Sequence, residues 1–153
     1  MRQSRIHRVL RSWLILANVV GVMAPTPALA RDAAIAIVVN RENRDELSRQ
    51  WVTDLFLGRR TKFPDGSSAK PVDQAKGTAI FLAFYSELAD LDESELNAHW
   101  STLIFTGTAV PPRRVAGDED VKNLVRAQRG GIGYIDVDSV DASVRVVDTL
   151  RLK

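Results

Sequence analysis

The stretch DQAKGTAIFLAFY, Asp73 to Tyr85, sets a small polar elbow directly in front of an almost wholly apolar run. Chemistry is conceivable at such a junction, because the first backbone N–H groups of a helix have no partner inside it and attract anions. Within the elbow, Lys76 supplies a positive charge, Gly77 lets the backbone approach a ligand closely, and Thr78 is a good N-cap. Lys76-Gly77-Thr78 is therefore either an anion cradle or only the cap of a buried helix, since caps of this kind also open helices that bind nothing. Further basic residues, Arg59, Arg60 and Lys62 in one cluster and Arg113 and Arg114 in another, would complete an anion site if they converged on the Thr78 helix. Otherwise they are solvated surface.

Enzyme chemistry is thinly represented. His99 is the only histidine after residue 30 and stands beside Trp100 on a helical stretch, where a surface or half-buried polar role is the ordinary reading. The acids Asp90, Asp92, Glu93 and Glu95 crowd a helix start, which suits the helix dipole, and they lack the spacing of a calcium loop. Ser67, Ser68 and Ser86 have no base within sequence reach. The chain has no cysteine, which excludes thiolate zinc sites and cysteine nucleophiles. The expectation is a non-enzyme with no cofactor and no metal.

Residues 1–30 read as a cleaved Sec-type signal. Arg2, Arg5, Arg8 and Arg11 form a cationic start, Trp13 to Met23 an apolar core of 11 residues, and Ala28-Leu29-Ala30 a small-x-small cleavage site. That core is well short of the roughly 20 residues a spanning helix needs, so no membrane span is expected after cleavage. The whole chain carries a formal charge of +2, but removing four arginines leaves 17 basic against 19 acidic side chains, a net of −2. A nucleic-acid partner is not indicated. The remaining residues, 31–153, have the length of one domain, exported to the periplasm and stabilised by its core without disulfides.

Periodicity gives the strands and helices around the elbow. AIAIVVN, Ala34 to Asn40, reads as a strand buried on both faces. Leu47, Trp51 and Leu55 mark one face of a helix that opens at an Asn43/Glu46 capping box and ends at Gly58. Ala69 to Val72 could be a short strand, with Pro71 at its end or on an edge. Thr78 opens a helix buried on most sides. Asp92 with Glu95 is a second capping box, for a helix with Leu96, Trp100, Leu103 and Ile104 inward. TGTAVPPRR is loop. Asp118 begins a helix with Val121, Leu124 and Val125 inward, stopped by Gly130-Gly131. Ile132–Ile135 and Val144–Val147 are two more strands. Strands alternating with helices predict an α/β fold, a central sheet covered on both faces.

The order of IAIVVN, LFLGRRTKFPDG, PVDQAKGTAIFLAFY, a tryptophan-bearing helix and GGIGYID resembles one lobe of the bacterial periplasmic phosphate-binding proteins, the soluble receptors of phosphate ABC importers. It resembles still more the short stand-alone members of that superfamily, over about Ile35 to Tyr134. The resemblance implies a type II periplasmic-binding lobe. In two-lobed receptors this lobe gives a Ser-Gly-Thr elbow and a preceding arginine to a phosphate held between lobes. The elbow falls on Lys76, Gly77 and Thr78, with lysine replacing serine, and the arginine position falls on Val72.

The resemblance supports two expectations. One is a periplasmic solute-binding protein that holds phosphate or a similar oxyanion weakly, for an ABC importer or a sensor, with a homodimer able to supply a second side. The other is a non-enzymatic interaction or signalling module that has lost its solute. The candidate ligand residues are Lys76, Gly77, Thr78, Arg59 and Arg60.

Overall fold

The computed structural model describes residues 33–152; the signal-peptide reading lies outside them. Five strands form one mixed sheet: β1 (Ala34–Asn40), β2 (Lys70–Gln74), β3 (Arg113–Val115), β4 (Gly131–Asp136) and β5 (Val144–Arg151). Their spatial order is β3-β2-β4-β1-β5, with β2 parallel to both β3 and β4, and β1 antiparallel to both β4 and β5. Alternate residues of β1 face two separate cores, so every one of its side chains is buried. Ile35, Ile37 and Val39 point to the larger core, shared with α1 (Arg49–Phe56), α2 (Ala79–Ala89) and α3 (Glu93–Phe105). Ala36 and Val38 point to the smaller one, under α4 (Asp118–Ala127). The expected α/β architecture with helices on both faces is what the chain adopts. Among the described residues no helix is long and apolar enough to cross a membrane.

Several local expectations are corrected. The first helix starts not at Asn43 but after Ser48, whose hydroxyl accepts the Trp51 amide at 3.2 Å. Arg145 of β5 donates to the carbonyls of Asn43 and Asp45 at 2.8 and 2.7 Å, taking acceptors that a longer helix would use internally. β2 lies inside the sheet, not at its edge. Pro71 is tolerated because Lys70 donates its amide to Gly130 on one side, so residue 71 faces the other, where β3 begins only opposite Val72. Arg113 and Arg114 are in that short strand and not in a loop. Ile104 points outward, 57 % exposed, while Leu96 and Trp100 are buried. α2 is buried along Phe81, Phe84, Tyr85 and Leu88, but Leu82 is 39 % exposed.

The GGIGY run marks where α4 and the loop before β2 press on the start of β4. A Cβ at Gly131 would stand 2.6 Å from the Val125 Cα, and one at Gly130 would stand 2.0 Å from the Ser68 carbonyl oxygen. On the other face, Tyr134 of β4 stacks on Phe84 at 3.6 Å between ring centroids, with Phe56 edge-on to both. That aromatic column fixes α2 against the sheet and so aims its N-terminus.

Candidate functional site

β2 ends at Gln74, and the chain turns through Ala75 to Thr78 into α2. Gly77 has φ +78°, a left-handed conformation that costs other residues roughly 1–2 kcal/mol. A Cβ there would meet no atom within 4 Å, so this stretch of backbone faces open space. The Thr78 hydroxyl donates to the Ala75 carbonyl at 2.8 Å and accepts the Phe81 amide at 3.4 Å. The Thr78 amide itself turns back to Ala75 at 3.3 Å. Ala79 and Ile80, the first two helical positions, keep their amides for solvent or ligand. No acidic residue occupies this first turn. Lys76 is exposed, with its ammonium 3.7 Å from Glu93.

Behind the elbow lies a carboxylate that residue types alone do not announce. Asp73 is 1 % exposed. Its Oδ1 accepts from the Tyr134 hydroxyl at 2.5 Å and the Gln74 amide at 3.0 Å, and its Oδ2 accepts from the Tyr85 hydroxyl at 3.1 Å. The Arg114 Nε stands 3.9 Å from Oδ2, and its guanidinium lies 5.9 Å from the centre of the Phe81 ring. Burial pushes the Asp73 carboxyl above the usual range, outweighing the two tyrosine hydroxyls and Arg114, which act the other way. Burial and then the Asp73 charge raise both tyrosines, Tyr85 and Tyr134, above theirs. Gln74 extends the network, its side chain donating to Asp118 at 2.7 Å and to the Tyr134 carbonyl at 3.1 Å. One buried polar cluster thus ties β2, β4, α2 and α4 together directly beneath the elbow.

Lys76, Gly77 and Thr78 form the turn into α2, and Arg59 and Arg60 lie elsewhere. Both arginines pair with Asp54, at 3.8 and 3.1 Å, and Arg60 lies 4.1 Å over the Trp51 ring. Arg59 lines a groove with Leu88, Ala89 and Asp90, at the far end of α2. Eleven residues of helix separate the ends by about 16 Å. The arginine that reaches the base of the turn into α2 is Arg114, at Asp73 and the Phe81 ring, because the parallel register sets it opposite Asp73. Val72, where the resemblance would put an arginine, faces the α4 core instead.

Chemically, the elbow can accept an oxyanion through the Ala79 and Ile80 amides and Lys76, the Thr78 hydroxyl proton being already donated to Ala75. His99 is bonded to the Leu57 carbonyl at 2.8 Å, the half-buried polar role expected of it. Among the described residues, no group of three or more histidines and carboxylates is placed to hold a metal ion.

No protein-family model and no curated protein matches the sequence. Solved structures do match. An ABC-type phosphate transport receptor from Vibrio cholerae superposes with a TM-score of 0.61 at 20 % identity, over 76 % of this chain and 46 % of that one. A Clostridium perfringens protein solved with bound phosphate, and described as a phosphate ABC transporter substrate-binding protein, gives 0.62 at 22 %, over 76 % and 44 %. PstS from Borrelia burgdorferi gives 0.58 at 9 %, over 76 % and 47 %. The chain spans about half the length of these receptors.

Proposed function

We propose that this chain, which has the fold of about half a phosphate-transport receptor, is an exported, non-enzymatic receptor module that binds phosphate or a similar oxyanion weakly at Lys76-Gly77-Thr78. It would serve an ABC importer or a sensor in the periplasm. The observation that carries the reading is the open glycine turn at the start of α2, with the Ala79 and Ile80 amides unspent and no acid in the first turn. Affinity is weak because the elbow is open to water on one side, where an ion pair contributes only about 0–1 kcal/mol, and because Lys76 already pairs with Glu93. A second copy closing over the elbow would strengthen it.

The test is thermal melting of the purified protein with phosphate, sulfate or arsenate at fixed ionic strength. A ligand present at 100-fold over its dissociation constant adds ~2.7 kcal/mol, a shift of several degrees. The absence of any shift with all three anions at millimolar levels would overturn the oxyanion reading. The outcome would then favour the second reading, an interaction module, for which the exposed apolar residues at the end of α3 speak.

A further inference from the structure

The three donors around the buried Asp73 carboxylate, the Tyr85 and Tyr134 hydroxyls and the Gln74 amide, are all neutral. Its one countercharge among the described residues is Arg114, whose Nε stands 3.9 Å from Oδ2, near enough for an ion pair but too far for a hydrogen bond. The Arg114 side chain is 42 % exposed, so it meets solvent as well as the carboxylate. The charge on Asp73 therefore decides what this end of the sheet presents. With Asp73 ionised it is a cancelled pair, and with Asp73 neutral it is an uncompensated guanidinium.

That charge lies close to the elbow. Three peptide links join Asp73 to Lys76, which holds their Cα atoms within about 11 Å, about one Debye length at moderate salt. Phe81, whose ring Arg114 approaches, is in the first turn of α2, where its amide meets the Thr78 hydroxyl. The other groups around Asp73 come from every neighbouring element. α2 gives Tyr85 and β4 gives Tyr134, hydroxyls that burial keeps neutral. β3 gives Arg114 alone, since Arg113 pairs with Val72 on the α4 face. α4 gives Asp118, one step away across the Gln74 side chain, and α3 gives Glu93 through its pair with Lys76. Among the carboxylates near the elbow, Asp73 is the one whose ionised form burial opposes.

We propose that Asp73 makes oxyanion binding at the elbow proton-linked: ionised, it cancels Arg114 and repels the anion, and protonated, it leaves Arg114 uncompensated at the base of the turn. The inference rests on the oxyanion reading of the elbow given above and adds a regulator to it. Because the folded carboxyl takes up its proton above the ordinary carboxylate range, anion affinity rises as pH falls through that raised value. By reciprocity, a bound anion strengthens proton binding at Asp73 by the same factor. The switch acts through charge alone and needs no change of fold.

The test titrates the parent and Asp73→Asn, which cannot ionise, with sulfate and with phosphate in a calorimeter, from about pH 5 to about pH 8 at fixed ionic strength. The ratio of the two dissociation constants at each pH removes the titration of phosphate itself and of Glu93 and Asp118, which both proteins share. The parent is expected to bind about fivefold more weakly than the variant at about pH 8, with the ratio shrinking towards one at about pH 5. A ratio that does not change with pH overturns the proposal and leaves the elbow as the anion site. Binding of neither anion by either protein at any pH overturns both the proposal and the oxyanion reading. If circular dichroism shows Asp73→Asn unfolded, Glu93→Gln, altered only at an exposed side chain, takes its place. Its sulfate affinity must still fall about fivefold from about pH 5 to about pH 8, because sulfate keeps both charges throughout, and a flat profile overturns the proposal.

Discussion

At the residue scale, Asp73 is the most informative side chain. Its carboxyl titrates above the usual range because burial disfavours the charge, so the folded state takes up a proton more readily than the unfolded state does. The charge is thus a cost near neutrality that disappears as pH falls through the raised folded value. Asp141 has the opposite sign: hydrogen bonds from Lys122 and Ser143 hold it low, and its contribution is present above the ordinary carboxylate range and lost in acid. Replacing Asp73 by Asn removes its charge, and also one of the two oxygens that accept from Tyr85, Tyr134 and Gln74, a loss that does not vary with pH over this range. Relative to the parent, Asp73→Asn should gain in melting temperature as pH rises from about 4 to about 7; an offset constant across that range would refute the buried-charge reading. For the elbow, Arg114→Ala should reduce any oxyanion-induced melting shift, and Arg59→Ala, at the other end of α2, should leave it unchanged. Gly77 and Thr78 were legible in the sequence because capping is local chemistry. Arg114 stood out in the sequence only as one of several basic residues, because only the pairing of β3 with β2, about forty residues apart, brings it to Asp73. Asp73 itself reads as an ordinary turn residue until the hydroxyls of Tyr85 and Tyr134 are seen around it.

At the scale of elements, the sequence was clearest where the determinants lie within one turn. β1 has the predicted bounds, and the Asp92/Glu95 capping box forms in full, with bonds of 2.8 and 2.9 Å. It was misleading where a distant side chain decides. Asn43 and Glu46 have capping-box spacing, yet Arg145, about a hundred residues on, holds that segment out of the helix. Gly130-Gly131 was expected only to stop a helix, whereas the structure shows that α4 packs directly on the Gly131 backbone. Gly131→Ala would push a methyl into the Val125 backbone, 2.6 Å from its Cα and 2.9 Å from its oxygen. Backbone cannot swing aside as a rotamer can, so urea unfolding should register a loss of about 1–3 kcal/mol or more. A loss below about half a kcal/mol would show that α4 shifts freely on the sheet.

At the scale of the molecule, one sheet with three helices on one face and one on the other suffices to hold the elbow, because the aromatic column and the Asp73 cluster both anchor α2. The elbow before α2 and the first turn of α3 are not independent. Lys76 of the elbow and Glu93 at the start of α3 form one ion pair across the gap between the two helices. An anion that recruits Lys76 leaves Glu93 free for a cation from solvent, and a cation that takes Glu93 leaves Lys76 free for the anion. Each event therefore favours the other, and by reciprocity the two gains are equal. An exposed pair of this kind is worth at most about 1 kcal/mol, so the mutual enhancement is limited to about fivefold. That is a modest coupling, but it needs no moving part beyond two side chains letting go of each other.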